Sequence, residues 1–213
     1  MRNNLHSVIV SAPSGAGKSS LIRALLKTEQ GLEFSISTTT RRPRPTEVDG
    51  VHYYFVSDEV FDGMTARDEF LEWALVHQNR YGTAKKEVDR IHCMGKIPIF
   101  DVDVQGARSL KACIEGGVFI FVIPPSPLIL QKRLRNRQTE SEEALRVRIR
   151  NMAVELQEYR NFDYLIVNDD FDRAVADFKS VLRAERCRTG RMESFIREWE
   201  DACDNSFGKA DSV

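Results

Sequence analysis

Nine residues near the start of the chain, Ala12-Pro13-Ser14-Gly15-Ala16-Gly17-Lys18-Ser19-Ser20, carry the spacing of a phosphate-gripping loop, with Ala12 where the motif has its first glycine. They follow the β-branched run SVIVS (7–11) and precede the amphipathic segment SLIRALLK (20–27), so a strand, a glycine-rich turn and a helix are expected in that order. Such a junction aims backbone N–H groups and the positive end of a helix dipole at one point. There Lys18 reaches the outer phosphates of a nucleoside triphosphate and Ser19 supplies an oxygen to Mg²⁺. A Gly/Ser-rich turn that merely joins strand to helix is the plainer alternative, and both flanks argue against it. By itself the motif specifies only an NTP binder.

A second set of candidates lies in IPIFDVDVQG, where Asp101 and Asp103 stand at the C-terminal end of a strand apolar enough to be buried. Open α/β sheets put their ligand sites there. A third is the run TTRRPRPTEVDGVHYYFV, residues 39–56, in which two guanidiniums and a phenol sit on a Pro-stiffened loop. Groups of that kind grip a dianionic monophosphate through charge-assisted, partly bidentate hydrogen bonds.

That third run resembles the guanylate kinases. Their pattern of a Thr pair, two Arg three residues apart, an acidic residue, a Gly and then Tyr-x-aromatic is matched by Thr39-Thr40, Arg41, Arg44, Glu47, Gly50, Tyr53 and Phe55. The resemblance runs from about Val8 to Arg186 and implies transfer of the γ-phosphoryl group of MgATP to GMP, giving ADP and GDP in purine nucleotide metabolism. It implies a clamp on the GMP phosphate made by Arg41, Arg44 and Tyr53, with Tyr81 as a further donor. It implies base recognition by Glu72, Ser37 and Thr83: a carboxylate at Glu72 accepts from guanine N1–H and N2–H₂, whereas adenine would leave it unpaired. Buried mismatches of this kind discriminate by about 10⁴ or more.

On the same resemblance Asp101 organises Mg²⁺ through water and orients an acceptor-side Arg. Asp103 joins the GMP side or, more plainly, caps the helix that follows. Arg133, Arg137 and Arg148 match positions that contact ATP or the transferring phosphoryl group, and Asn168 in YLIVNDD stands near the adenine. Lys18, Arg41, Asp101, Arg137 and Arg148 form the catalytic group, while Arg135, Arg146 and Arg150 read as solvated charges, and His77 and His92 as ordinary side chains. Gln78 and Arg80 depart from the Gly and aromatic more usual in the family, which bears on the shape of that loop. A P-loop kinase for another nucleotide and a guanylate-kinase-like protein-binding module are the rival readings. An intact Lys18, Ser19, Arg41 and Arg44 speak against the second.

Positioning these residues requires a parallel sheet. Five apolar runs, 7–11, FSIS (34–37), IPIFDVD (97–103), VFIFVI (118–123) and YLIVN (164–168), alternate with helices over 104–114, 127–137 and 171–187, the signature of an α/β/α P-loop core with a five-stranded parallel sheet. Ser126 with Pro127 behind it reads as a helix start, and Gly95 and Gly116 read as helix stops. The alternation breaks between residues 37 and 83, where an aromatic strand VHYYFV, a short helix from Ser57 and the run EFLEWALV suggest a small GMP-binding insertion. The charged stretch 126–156, with a second helix start at Ser141, reads as an Arg-rich helical lid. The core then comprises 1–36, 84–125 and 157–213, all within one domain, and the stretch from Thr189 ends in a helix over MESFIREWEDAC.

A net charge of −1 with 42% hydrophobic and 30% charged residues is ordinary for a soluble protein. It provides no broad field for nucleic acid. The apolar runs are too short to span a membrane, and no signal-peptide pattern opens the chain, so a cytoplasmic protein with small-molecule partners is expected, with a homo-oligomer left open. The four scattered cysteines form no CxxC pair and the four histidines have no ligand spacing, which points to neither disulfides nor zinc.

Overall fold

The computed structural model describes residues 5–76, 78–135 and 155–207. Its centre is a five-stranded, wholly parallel sheet built from β1 (Val8–Ser11), β2 (Leu32–Phe34), β7 (Ile97–Asp101), β8 (Val118–Ile123) and β9 (Tyr164–Val167), in the order β2-β7-β1-β8-β9. Period-two alternation divides the strands between two faces. Val8, Val10, Ile99, Val118, Ile120 and Val122 enter one core, while Ile9, Phe100 and Phe119 enter the other. Helix α1 (Lys18–Thr28) presses Leu21, Ile22 and Leu25 into the first core beside Ala174, Phe178 and Leu182 of the helix Phe171–Arg186. Helix α4 (Val104–Cys113) covers the second with Ala107 and Leu110.

A second sheet, antiparallel except where β3 and β4 run together, is formed by β3 (Thr38–Thr39), β4 (Tyr54–Phe55), β5 (Phe70–Val76) and β6 (Asn79–Ala84), in the order β4-β3-β6-β5. Helix α2 (Asp58–Ala66) packs on it, capped by Ser57 through the Val60 N–H. Phe61, Met64, Phe70 and Ala84 make a separate small core, with the Phe61 and Phe70 rings stacked at 4.5 Å. The chain then passes directly into α3 (Lys85–Cys93) and returns to the main sheet as β7.

Three strands have boundaries that differ from the sequence expectation. The run expected as a strand over 34–37 pairs only as Leu32–Phe34. Ser35 still donates to the Ile99 carbonyl, but the Ile36 N–H is taken by the Glu87 carboxylate and the Ser37 carbonyl by the Tyr54 N–H, so the chain peels off into the second sheet. The run 97–103 stops pairing at Asp101 because Asp103 turns to cap α4, accepting from the Gly106 N–H at 2.8 Å. VHYYFV contributes only Tyr54 and Phe55 to a strand, since the preceding residues turn about Gly50, whose φ is +71°.

The helix stop expected at Gly95 has φ +67°, with the Lys96 N–H reaching back to the Ile91 carbonyl. Ser126 accepts from the Ile129 N–H at the start of α5 (Pro127–Arg135). A further helix, Glu193–Phe207, follows the Phe171–Arg186 helix. The expected lid helix from Ser141, with Arg137, Arg146, Arg148 and Arg150, lies outside the described residues, as does His77.

The small core depends on few side chains, and Phe61 is wholly buried in it. Phe61→Ala is expected to lower the unfolding free energy by about 3–5 kcal/mol, read from the urea midpoint at unchanged slope.

Candidate active site

The Gly-rich loop leaves β1 and turns into α1 with Gly15 at φ +90° and Gly17 at φ +95°. Ala12, which stands at the first-glycine position, is not among the residues with positive φ and is buried, so its methyl group is accommodated without backbone strain. Gly17 is the helix N-cap and supplies no side-chain acceptor, which leaves the first N–H groups of α1 without a protein cap. That unfilled N-terminus is what an anionic phosphate can satisfy.

The loop is braced from behind. Asn168, only 5% exposed, donates through Nδ2 to the Ala16 carbonyl at 2.7 Å. Arg133 of α5 donates to the same carbonyl at 3.4 Å and to the Asn168 carbonyl at 3.0 Å. Arg133, expected to contact ATP, and Asn168, expected near the adenine, thus both meet the loop's backbone at Ala16.

Lys18 and Ser19 turn toward β7. The Lys18 ammonium lies 2.5 Å from Asp101 Oδ1 and donates to the Val102 carbonyl at 2.6 Å, while the Ser19 hydroxyl donates to Asp101 Oδ2 at 2.8 Å. One carboxylate thus ties the end of β7 to the start of α1. Among the described residues no cluster of three or more His, Cys, Asp or Glu side chains could hold a metal, so any cation here would rely on Ser19, Asp101, water and ligand oxygens.

Arg41 is fixed by Glu47, which takes its guanidinium through both oxygens at 2.8 and 2.9 Å and also accepts the Arg44 N–H at 2.8 Å. Burial works against charge at both partners. The Arg44 N–H and Arg41 overcome this to hold Glu47 below the usual carboxylate range, and Glu47 with Tyr81 keeps Arg41 above its ordinary value. The Arg41 guanidinium lies 5.3 Å from the centre of the Tyr53 ring, and the Tyr81 ring meets Tyr53 edge-on at 5.9 Å. Arg44 is exposed and held only through its backbone.

Behind the two tyrosines a cleft of about 210 Å³ is lined by Lys18, Asp101 and Asp103 on the main-sheet side and by Ser37, Tyr53, Glu72 and Tyr81 on the other. Glu72 is 9% exposed and accepts from the Thr83 hydroxyl at 2.6 Å. Burial raises its pKa to about 7, with the Asp103 charge adding to the rise and the Thr83 hydrogen bond opposing it. Gly106 borders the same cleft; a Cβ there would crowd Val102 at 3.2 Å and only touch Glu72 Oε2, at 3.5 Å. The antiparallel register pairs Glu72 with Thr83, which explains why two residues eleven apart in sequence act together.

Two departures in the β5–β6 hairpin gain a physical account. Gln78 takes φ +68°, a conformation glycine adopts with less strain. Arg80 lies 4.8 Å from the centre of the Phe61 ring and pairs with Asp58 at 2.6 Å and with Asp62, tying the hairpin to α2. An aromatic residue would have packed there without the charges.

A family model described as guanylate kinase matches residues 4–185. A guanylate kinase of Escherichia coli O157:H7 is 47% identical over 187 residues, covering 87% of this chain and 90% of the relative. One of Geobacter sulfurreducens is 47% identical over 190 residues, covering 89% and 94%. The crystal structure of guanylate kinase from Anaplasma phagocytophilum superposes with a TM-score of 0.75 at 27% identity, covering 99% of both chains.

A Cβ at Gly17 would lie 2.3 Å from Asn168 Nδ2 on a backbone of positive φ. Gly17→Ala is therefore expected to cost about 2 kcal/mol of stability and to weaken nucleoside triphosphate binding roughly tenfold or more, read by denaturation and by calorimetric titration.

Proposed function

The chain belongs to the guanylate kinase family and is an ATP:GMP phosphotransferase, and from that premise we propose how its own residues divide the work. ATP phosphates bind the loop 12–20 through Lys18 and the backbone N–H groups, which every residue there but Pro13 carries, while Asn168 and Arg133 hold the Ala16 peptide in place. Arg41, Arg44, Tyr53 and Tyr81 take the phosphate of GMP. Glu72, Ser37 and Thr83 take the guanine, and Asp103 borders it while capping α4.

One observation supports this division: a single cleft is bounded by Lys18 and Asp101 at one side and by the buried Glu72 at the other. A phosphate donor and a purine acceptor brought to those two sides would meet with their phosphates adjacent.

Mg²⁺ is the cation that suits Ser19 and Asp101, since both present hard oxygens and the remaining ligands can be water and phosphate. When bound it would neutralise charge on the phosphoryl oxygens. The protein's part is otherwise to position and to neutralise: a GMP phosphate oxygen attacks the γ-phosphorus in line, and Lys18 and Arg41 balance the charge of the transferring group. Arg137 and Arg148 complete that set in this reading. The reaction asks for no dedicated general base, because the attacking phosphate is already ionised.

The direct test is ADP release from MgATP with GMP, AMP, CMP or UMP as acceptor at equal concentration. Turnover confined to GMP is the expected result. Turnover with AMP instead would remove Glu72 from the base site while leaving the donor side intact.

Glu72 also sets a pH dependence whose sign follows from its protonation. Only the carboxylate accepts both guanine donors, and with a pKa near 7 the empty site holds a proton at lower pH that GMP must displace. The KM for GMP is expected to rise by up to about tenfold per pH unit below 7. Glu72→Gln should raise it most above pH 7, where the wild type is ionised, and flatten this profile. Subtracting the two profiles separates Glu72 from the ionisation of the substrate phosphate, which titrates near 6.

A further inference from the structure

Glu87 on α3 is only 2% exposed and has no place in the chemistry described above. Its oxygens collect four donors: Oε1 accepts the Ile36 N–H at 3.1 Å and Arg90 at 2.8 Å, and Oε2 accepts Arg90 Nε at 2.9 Å and the Tyr54 hydroxyl at 3.2 Å. Burial alone would raise its pKa, but Arg90, the Ile36 N–H and Tyr54 hold it below the usual range. The carboxylate is therefore charged and fully used.

The residues it holds are informative. Ile36 immediately precedes Ser37, and Tyr54 immediately follows Tyr53; both Ser37 and Tyr53 line the nucleotide cleft. The Tyr54 N–H donates to the Ser37 carbonyl at 2.9 Å, so the two segments are also joined to each other. Glu87 grips both from the rear, on the helix through which the chain re-enters the main core.

We propose that Glu87 is a positioning residue for the acceptor nucleotide: by anchoring Ile36 and Tyr54 it fixes where Ser37 and Tyr53 present themselves to GMP. The inference rests on assigning Ser37 and Tyr53 to the GMP side. No loop residue from Gly15 to Ser20 bonds to Glu87, so the donor site is independent of it. A glutamine at this position keeps the shape but turns an NH₂ group toward at least one existing donor, which breaks part of the anchor.

The test measures initial rates for the wild type, Glu87→Gln and Tyr54→Phe with each substrate varied. Glu87→Gln should raise the KM for GMP roughly tenfold, with the KM for ATP and kcat changed less than about twofold. Tyr54→Phe, which removes one hydroxyl, should shift the same constant in the same direction by about threefold. It provides the reading if Glu87→Gln does not fold. Equal rises in both KM values, or a folded variant with unchanged KM for GMP, would overturn the proposal. Ser37→Ala run in parallel tests the underlying assignment: if it leaves the KM for GMP unmoved while Glu87→Gln raises it, the assignment fails separately from the anchor.

Discussion

Parallel pairing of β1 with β7 sets Val10 opposite Asp101, and the remaining site geometry is built on that register. Because the strands run the same way, the loop that follows β1 and the carboxylate that ends β7 emerge on one edge of the sheet. Lys18 and Ser19 then need only turn inward to reach Asp101. A slip of one residue would send Asp101 into a core and its apolar neighbour into the phosphate site.

Three glutamates on the acceptor side show how one side chain acquires three roles from its surroundings. Glu47 is held charged by Arg41 and the Arg44 N–H and serves to aim a cation. Glu72 is buried with no cation beside it, only Thr83 to bond to, and its pKa is raised to about 7, which suits the base-reading role proposed for it. Glu87, 2% exposed against 9% for Glu72, has four donors, one of its partners the cation Arg90, and is held below the usual carboxylate range. Burial raises all three; arginine and N–H partners outweigh it at Glu47 and Glu87, and at Glu72 it prevails.

The sheet, the phosphate loop and its lysine were legible because they depend on local pattern: apolar runs of the right length and a glycine-rich turn between strand and helix. The set Arg41, Tyr53, Glu72 and Thr83 was legible only through the family-like string, since its members are joined by strand register rather than sequence spacing. Glu47 was visible as a letter in that string, without its partners. Glu87 gave no signal at all: in KKEVDRIHC it reads as one more charge on an amphipathic helix, and its burial follows from where Ile36 and Tyr54 arrive. The early end of β2 has the same origin: after Ser35 the Ile36 N–H goes to a carboxylate from a distant helix and not to β7.

The second sheet has its own core of Phe61, Met64, Phe70 and Ala84, separate from both cores of the main sheet. On the assignment proposed above, this makes the acceptor side, in evolutionary terms, a cassette. Its packing can drift, and the residues that read a base can be exchanged, while the strands carrying Lys18 and Asp101 keep their own contacts. A new acceptor specificity can thus arise on this framework without reinventing the machinery that handles the donor.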